Sequence, residues 1–152
     1  MVNAVEAKVP QTELRTLAEF RYQLRRFLSF SEIATEQRGI AAQQYQLIQA
    51  IAAVPEGQQA SISYLAERMV LRHNSTVELV DRAERAGLVR REPDENDLRR
   101  SLVRLTMQGE RLLQDLAVEH LNDLAPRCDH LIRSLQELQR TLKGGGGAPA
   151  EG

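Results

Sequence analysis

The sequence of 152 residues predicts a mainly α-helical fold carrying one small β-hairpin. Three observations predict it. Apolar residues recur at three-and-four spacing along most of the chain, a single stretch alternates as a hairpin would, and that stretch directly follows two short helical segments.

From Thr12 to about Arg38, Leu14, Leu17, Phe20, Leu24, Phe27, Leu28 and Ile33 form the apolar side of a long amphipathic helix. Tyr45, Leu47, Ile48, Ile51 and Ala52 mark a second helix, closed by Val54-Pro55-Glu56-Gly57. Ile62, Leu65, Ala66 and Met69 mark a third, and the pattern breaks at Val70-Leu71-Arg72. Val77, Val80, Ala83 and Ala86 give a fourth stripe, which Gly87 stops. Leu88 to Arg91 then reads as a strand, Glu92 to Asp97 as a turn, and Ser101 to Leu105 as the returning strand. After Thr106, Leu112, Leu113, Leu116, Ala117, His120, Leu121 and Leu124 define a helix ending near Pro126. The last helix carries Leu131, Leu135, Leu138 and Leu142 at steps close to a coiled-coil seam.

Two short helices followed by an arginine-studded hairpin describe a winged helix-turn-helix. The second of the two helices is expected to enter a DNA major groove, and the hairpin tip to reach the neighbouring backbone or minor groove.

Composition bounds the alternatives. A chain of this length is most simply one domain. No run of about eighteen apolar residues exists to span a bilayer, so no membrane role is expected. Met1 to Pro10 lacks a signal-peptide core and the single Cys128 cannot form an internal disulfide, which points to the cytoplasm. A net charge of −1 argues against nucleic acid only until its distribution is considered. Arg68, Arg72, Arg82, Arg85, Arg90, Arg91, Arg99, Arg100 and Arg104 fall in the winged-helix stretch, while Asp115, Glu119, Asp123, Asp129 and Glu137 lie beyond it. Acidic residues within the stretch leave a modest positive excess, so arginines concentrated on one face are expected.

No catalytic constellation emerges. His73, His120 and His130 lie apart, without metal-ligand spacing, so neither a catalytic site, a metal nor a cofactor is expected, and His120 and His130 read as surface or interface residues. Arg127 beside Cys128 could lower the thiol pKa, but sequence adjacency alone is weak ground for a reactive cysteine. Arg72, His73, Asn74, Ser75 and Thr76 open the fourth helix, where side chains can meet base edges and phosphates. Asn, Ser and Thr are also what any helix start prefers, whereas Arg and His are poor caps. Arg82 can hold a phosphate or pair with Glu78.

The residues also carry a family resemblance. Leu65-Ala66-Glu67, Ser75 through Arg82, Ala86 through Arg91, Asp97-Leu98-Arg99, Leu105-Thr106 and Gly109, with Gln43 through Ile48 upstream, resemble the MarR (multiple antibiotic resistance regulator) family. Two positions depart from it. Ala83 stands where the family usually has leucine, which predicts looser packing under the recognition helix, and Leu98 stands where a second basic residue is common, which predicts a wing with one charge fewer.

The resemblance implies a sequence-specific transcriptional regulator of double-stranded DNA, a repressor relieved by a small phenolic or anionic ligand. It implies one domain over 12–142, with a reading head at about 43–106, dimerisation helices at about 12–38 and 107–142, and a disordered tail over 143–152. Periodicity alone leaves open whether the terminal helices wrap one core or pair with a second chain; the resemblance favours a homodimer on a pseudo-palindromic operator. Asp97 and Arg99 resemble the family's wing signature, in which the aspartate braces the wing and the arginine enters the minor groove, although a charged hairpin tip is often simply solvated. An effector between dimerisation helices and reading head would meet Arg21, Arg25, Tyr22, Phe27, Tyr45 and His73, of which the aromatics are as readily core. The family's redox-sensing branch has a cysteine in the first long helix, which this chain lacks. The alternative is a winged helix used for protein–protein contact without sequence-specific DNA binding.

Overall fold

A computed structural model describes residues 8–144. The order is α1 (Gln11–Glu36), α2 (Ala42–Ala52), α3 (Ile62–Met69), α4 (His73–Arg85), β1 (Val89–Asp94), β2 (Asp97–Leu105), α5 (Met107–Leu124), a 3-10 turn (Ala125–Arg127) and α6 (Cys128–Gly144). Lys143 and Gly144, expected in a disordered tail, close α6 instead; the rest of that tail lies outside the described residues, as do residues 1–7. The chain divides into two compact units, one over Ser31–Leu121 and one made of the segments up to Phe30 and from Asn122.

The Ser31–Leu121 unit is built on a core of Tyr45, Leu47, Ile48, Leu65, Leu79, Val80, Leu88, Val89, Val103 and Leu116, none more than 2% exposed. These are the periodic positions of α2, α3, α4 and α5 and the alternate positions of the hairpin, so the pattern that forms each element also supplies its packing face. Ala83 is fully buried. The Ser61 side chain caps α3 by accepting from Tyr64 N–H at 3.2 Å, and its backbone bridges to Leu102, so the start of α3 is fastened to β2.

The turn between α3 and α4 contains the one positive-φ residue other than glycine among those described, Val70, at φ 54°. The Leu71 N–H returns to the Ala66 carbonyl at 2.9 Å and holds the turn shut. A left-handed conformation is costly for a β-branched residue, and Val70, 90% exposed, gains no packing in return. Val70→Gly is therefore expected to raise stability by about 0.5–1 kcal/mol, strain relief being partly offset by the freedom glycine adds to the unfolded chain. A shift of the urea midpoint at unchanged slope is the readout.

The hairpin differs from its expected form. β1 runs on to Asp94 and β2 begins at Asp97, so the turn shrinks from six residues to Glu95-Asn96. Glu92 sits in the ladder opposite Leu102 and accepts from Arg90 at 2.8 Å and Arg104 at 3.3 Å, which makes it a strand residue and holds its carboxyl below the usual range, chiefly through the Arg90 hydrogen bond. Asp94 is buried and closes the turn by accepting the Asn96 N–H at 2.9 Å. Pairing then jumps from Pro93↔Ser101 to Asp94↔Asp97, leaving Leu98, Arg99 and Arg100 as a bulge on β2. Pro93 has no N–H to donate, so the ladder cannot continue evenly there.

At the base of the hairpin, the Thr106 hydroxyl donates to the Gly87 carbonyl at 2.5 Å and accepts the Gly109 N–H at 3.0 Å, capping α5. Gly87, at φ 75°, ends α4. His120, expected at the surface or an interface, is 6% exposed within the chain's own core. Its ring lies 4.6 Å from that of Tyr45, with Nδ1 2.6 Å from the Leu116 carbonyl and Nε2 2.9 Å from Ser31 Oγ. A carbonyl only accepts, so Nδ1 carries the proton in the neutral ring and Nε2 accepts from the Ser31 hydroxyl. His130, by contrast, is exposed. Arg38 joins this end of α5 through Asp115 and Glu119.

In the other unit, Asp123 and Arg127 pair at 2.7 Å, so the cation beside Cys128 in sequence is engaged elsewhere. Cys128 itself is half-buried. Leu14, Leu17, Leu24 and Leu28 of α1 and Ile132, Leu135 and Leu142 of α6 are all at least 40% exposed. The expected α6 seam is thus shifted: Leu131 and Leu138 are half-buried, and Ile132 takes a place beside Leu135 on the exposed stripe.

Candidate nucleic-acid interface

The first turn of α4 begins at Arg72, whose backbone is extended (φ −69°, ψ 154°) and whose side chain makes no capping bond. Arg72, His73, Asn74 and Ser75 are exposed together, and Glu78 follows on the exposed side. Thr76 is a correction to the expected set of DNA-contacting residues. It is fully buried, and its hydroxyl donates to the Arg72 carbonyl at 3.0 Å, so it serves the packing and closure of this turn. Arg82 is exposed and forms no ion pair among the described residues, with Glu78 or otherwise.

The hairpin is tied to α4 by Arg91, which reaches Asp81 at 2.6 Å and Glu84 at 3.4 Å, while its own N–H donates to Glu84 at 3.0 Å. Two consequences follow from this contact. The hairpin is fixed relative to the helix, and two carboxylates of α4 are matched by a strand arginine. Glu92 is likewise matched by Arg90 and Arg104. Arg68, Arg72, Arg82, Arg85, Arg99 and Arg100 are left without an ion pair among the described residues and stay available for an anionic partner.

A cleft of about 260 Å³ brings these parts together: His73 and Val77 of α4, Arg91, Arg99 and Arg100 of the hairpin, and Ser61 to Ser63 at the start of α3. Asp97 accepts the Arg99 backbone N–H at 3.1 Å, so it braces the chain that carries the arginine and leaves the guanidinium free. Sequence reasoning missed Arg91 as the strut, Asp94 as the turn lock and Arg100 as a further lining residue. Of these only Arg100 had a local signal, its place beside Arg99 in a stretch already read as cationic.

The residues expected to line an effector pocket fall into separate settings. Tyr45 is 1% exposed, its hydroxyl accepting from Gln49 at 3.2 Å; burial raises its pKa, with Glu119 adding to the effect. It is a core residue. His73 belongs to the cleft beside the hairpin. Arg21 and Arg25 line a groove of about 340 Å³ on α1 with Leu17, Phe20, Leu24 and Leu28, while the Tyr22 ring lies beneath Arg26 at 5.8 Å and Phe27 is half-buried. Among the described residues, no group of three or more His, Cys, Asp or Glu is placed to hold a metal ion, and no helix is long and apolar enough to cross a membrane.

A short helix fastened to an arginine-bearing hairpin, with its first turn exposed, defines the class: a winged helix-turn-helix protein of the kind that regulates transcription. The family model for the MarR family matches residues 38–100, which contain the whole cleft except Ser101. The chain is 28% identical to the transcriptional activatory protein BadR of Rhodopseudomonas palustris, over 97% of this chain and 91% of BadR. It is also similar to the crystal structure of AbsC, a MarR family transcriptional regulator from Streptomyces coelicolor, with TM-score 0.71 and 25% identity over 90% of this chain and 93% of AbsC. CouR from Rhodococcus jostii RHA1, solved bound to p-coumaroyl-CoA, shares the fold with TM-score 0.60 and 22% identity over 82% of this chain and 87% of CouR. Residues 38–100 are thus similar to the MarR family, and BadR and AbsC are by name transcriptional regulators.

Proposed function

We propose that the chain acts in the cytoplasm as a homodimer that reads a pseudo-palindromic double-stranded operator, repressing transcription until a small anionic ligand releases it. The observation that carries this reading is the cleft in which the exposed start of α4 and the unpaired arginines of the hairpin converge. Around it, Arg72, His73 and Asn74 meet base edges in the major groove, Ser75 and Arg82 hold phosphates, and Arg99 enters the minor groove with Asp97 bracing its backbone. Dimerisation joins two such heads, through the terminal helices flanking a single winged-helix domain, and sets the half-site spacing. The Arg21 and Arg25 groove, cationic beside an apolar floor, supports an amphipathic anion as effector, with Tyr22 and Phe27 on the same helix. The p-coumaroyl-CoA bound to CouR is one example of that chemistry in this fold.

Selection of bound duplex from a random pool tests the reading. An operator should emerge, with affinity falling steeply as salt rises. The triple variant Arg72→Ala, His73→Ala, Asn74→Ala should lose about 1–3 kcal/mol of discrimination at each base pair it reads, leaving affinity for unrelated duplex much less changed. Full operator preference in that variant would mean that α4 is not the reader. A winged helix serving protein contact alone would show no salt-dependent duplex binding. The activatory role in the name of BadR supports activation as a second reading, and a reporter placed behind the selected operator separates the two by the sign of its response.

A further inference from the structure

We infer that Leu98 is an apolar wedge that enters the DNA minor groove beside Arg99 and gives the wing a preference for easily deformed base steps. This rests on the DNA-binding reading above. Leu98 is 82% exposed and lies in the bulge of β2 where pairing with β1 lapses between Ser101 and Asp97. A bulge of this kind re-aims side chains away from the sheet. The bulge is braced on its turn side, where Asp94 locks the turn through Asn96 and Asp97 fixes the Arg99 backbone. Leu98 is therefore presented on a braced support rather than on a loose tip.

Its neighbours identify the occupant. Arg99 and Arg100 follow it directly, both exposed and neither ion-paired among the described residues, while Asp97 before it is turned to the Arg99 backbone N–H, so whatever covers the leucine must also accept two cations. A duplex minor groove meets both demands: phosphates on its walls for the arginines, and apolar sugar faces and base steps at its floor for the leucine. A leucine offers no hydrogen bond, so any selectivity it confers comes from the ease with which a step opens, greatest for pyrimidine–purine steps. It also neutralises no phosphate, which separates its contribution from that of the arginines.

The test uses the full chain and the operator selected from the random pool, with 2-aminopurine placed at successive steps of the wing-facing minor groove. Leu98→Ala is expected to weaken operator binding about 5- to 20-fold with an unchanged salt slope, and to abolish the fluorescence rise that the parent produces at one step. Leu98→Arg should steepen the salt slope without restoring that rise. An exposed position leaves the fold unaffected, and equal melting temperatures check this. Leu98→Ala binding as tightly as the parent, or losing affinity only through a shallower salt slope, would overturn the wedge while leaving the DNA-binding reading standing. A parent protein with no salt-dependent duplex affinity would bring down both.

Discussion

Gly109→Ala is expected to be among the most destabilising single-methyl additions in the chain, costing about 1–3 kcal/mol and lowering the melting temperature by roughly 3–10 °C. A Cβ at this position would lie 2.0 Å from the Leu88 carbonyl oxygen and 2.9 Å from its carbon, so the obstacle is backbone rather than a movable side chain. That carbonyl cannot turn aside cheaply. It accepts the Thr106 N–H at 3.1 Å, and the Leu88 N–H is itself bound to the Ala83 carbonyl at 3.0 Å. The start of α5 must therefore retreat, loosening the Thr106 bridge to Gly87 and the cap on Gly109. Overpacking costs about 1–3 kcal/mol and a lost cap about 1 more, against about 1 kcal/mol gained because alanine favours helix. Gly57→Ala is the control: a Cβ there meets nothing within 4 Å, so only its φ of +82° is penalised, by about 1–2 kcal/mol. Calorimetry that placed the Gly109→Ala transition within a degree of the parent would refute the close-approach account.

The same junction shows how far the sequence could be read. Thr106 and Gly109 stood out as parts of a family pattern, yet their purpose, the seating of a helix end against the backbone of Leu88, depends on a contact twenty-one residues apart in the chain. Helices were legible because each buries one periodic face, and α1 to α4 lie close to where the spacing of their apolar residues placed them. The hairpin was legible in its arms and misread at its tip. Glu92 and Asp94 look like turn residues by type, and only their partners, Arg90 and Arg104 for one and the Asn96 N–H for the other, make one a ladder residue and the other a buried lock. Thr76 and His120 were misplaced for a related reason. Local pattern gives a residue's helix but not which neighbours close over it, and a threonine one turn into α4 is as apt to bond back to Arg72 as to point outward. Charge was the least legible quantity, because the surface of the head is set by which arginines are matched, and the matches of Arg91 span ten and seven residues.

Leu135→Asp is expected to convert a dimeric protein to monomer at micromolar concentration. Leu135 is 50% exposed on α6, with Ile132 at 50% and Leu142 at 79% on the same stripe, and α1 exposes Leu14, Leu17, Leu24 and Leu28. Scattered exposed leucines are ordinary, but stripes on two helices are what a partner covers. A symmetric interface buries each substituted position twice, so a carboxylate at Leu135 enters in two copies without a matching cation. Each unpaired buried charge costs about 3–5 kcal/mol, more than the apolar burial of one leucine returns. Sedimentation velocity should show the parent as a dimer and the variant as a monomer, and the melting temperature of the parent alone should rise with protein concentration. Leu135→Met, which keeps the volume and the apolar character, should stay dimeric. The reading heads of the Leu135→Asp monomer would remain folded but bind one half-site each, so operator affinity should collapse toward that for unrelated duplex while the dependence on Arg72, His73 and Asn74 persists. A parent that sediments as a monomer at these concentrations would defeat the dimer, and with it the account of how so small a head gains its specificity.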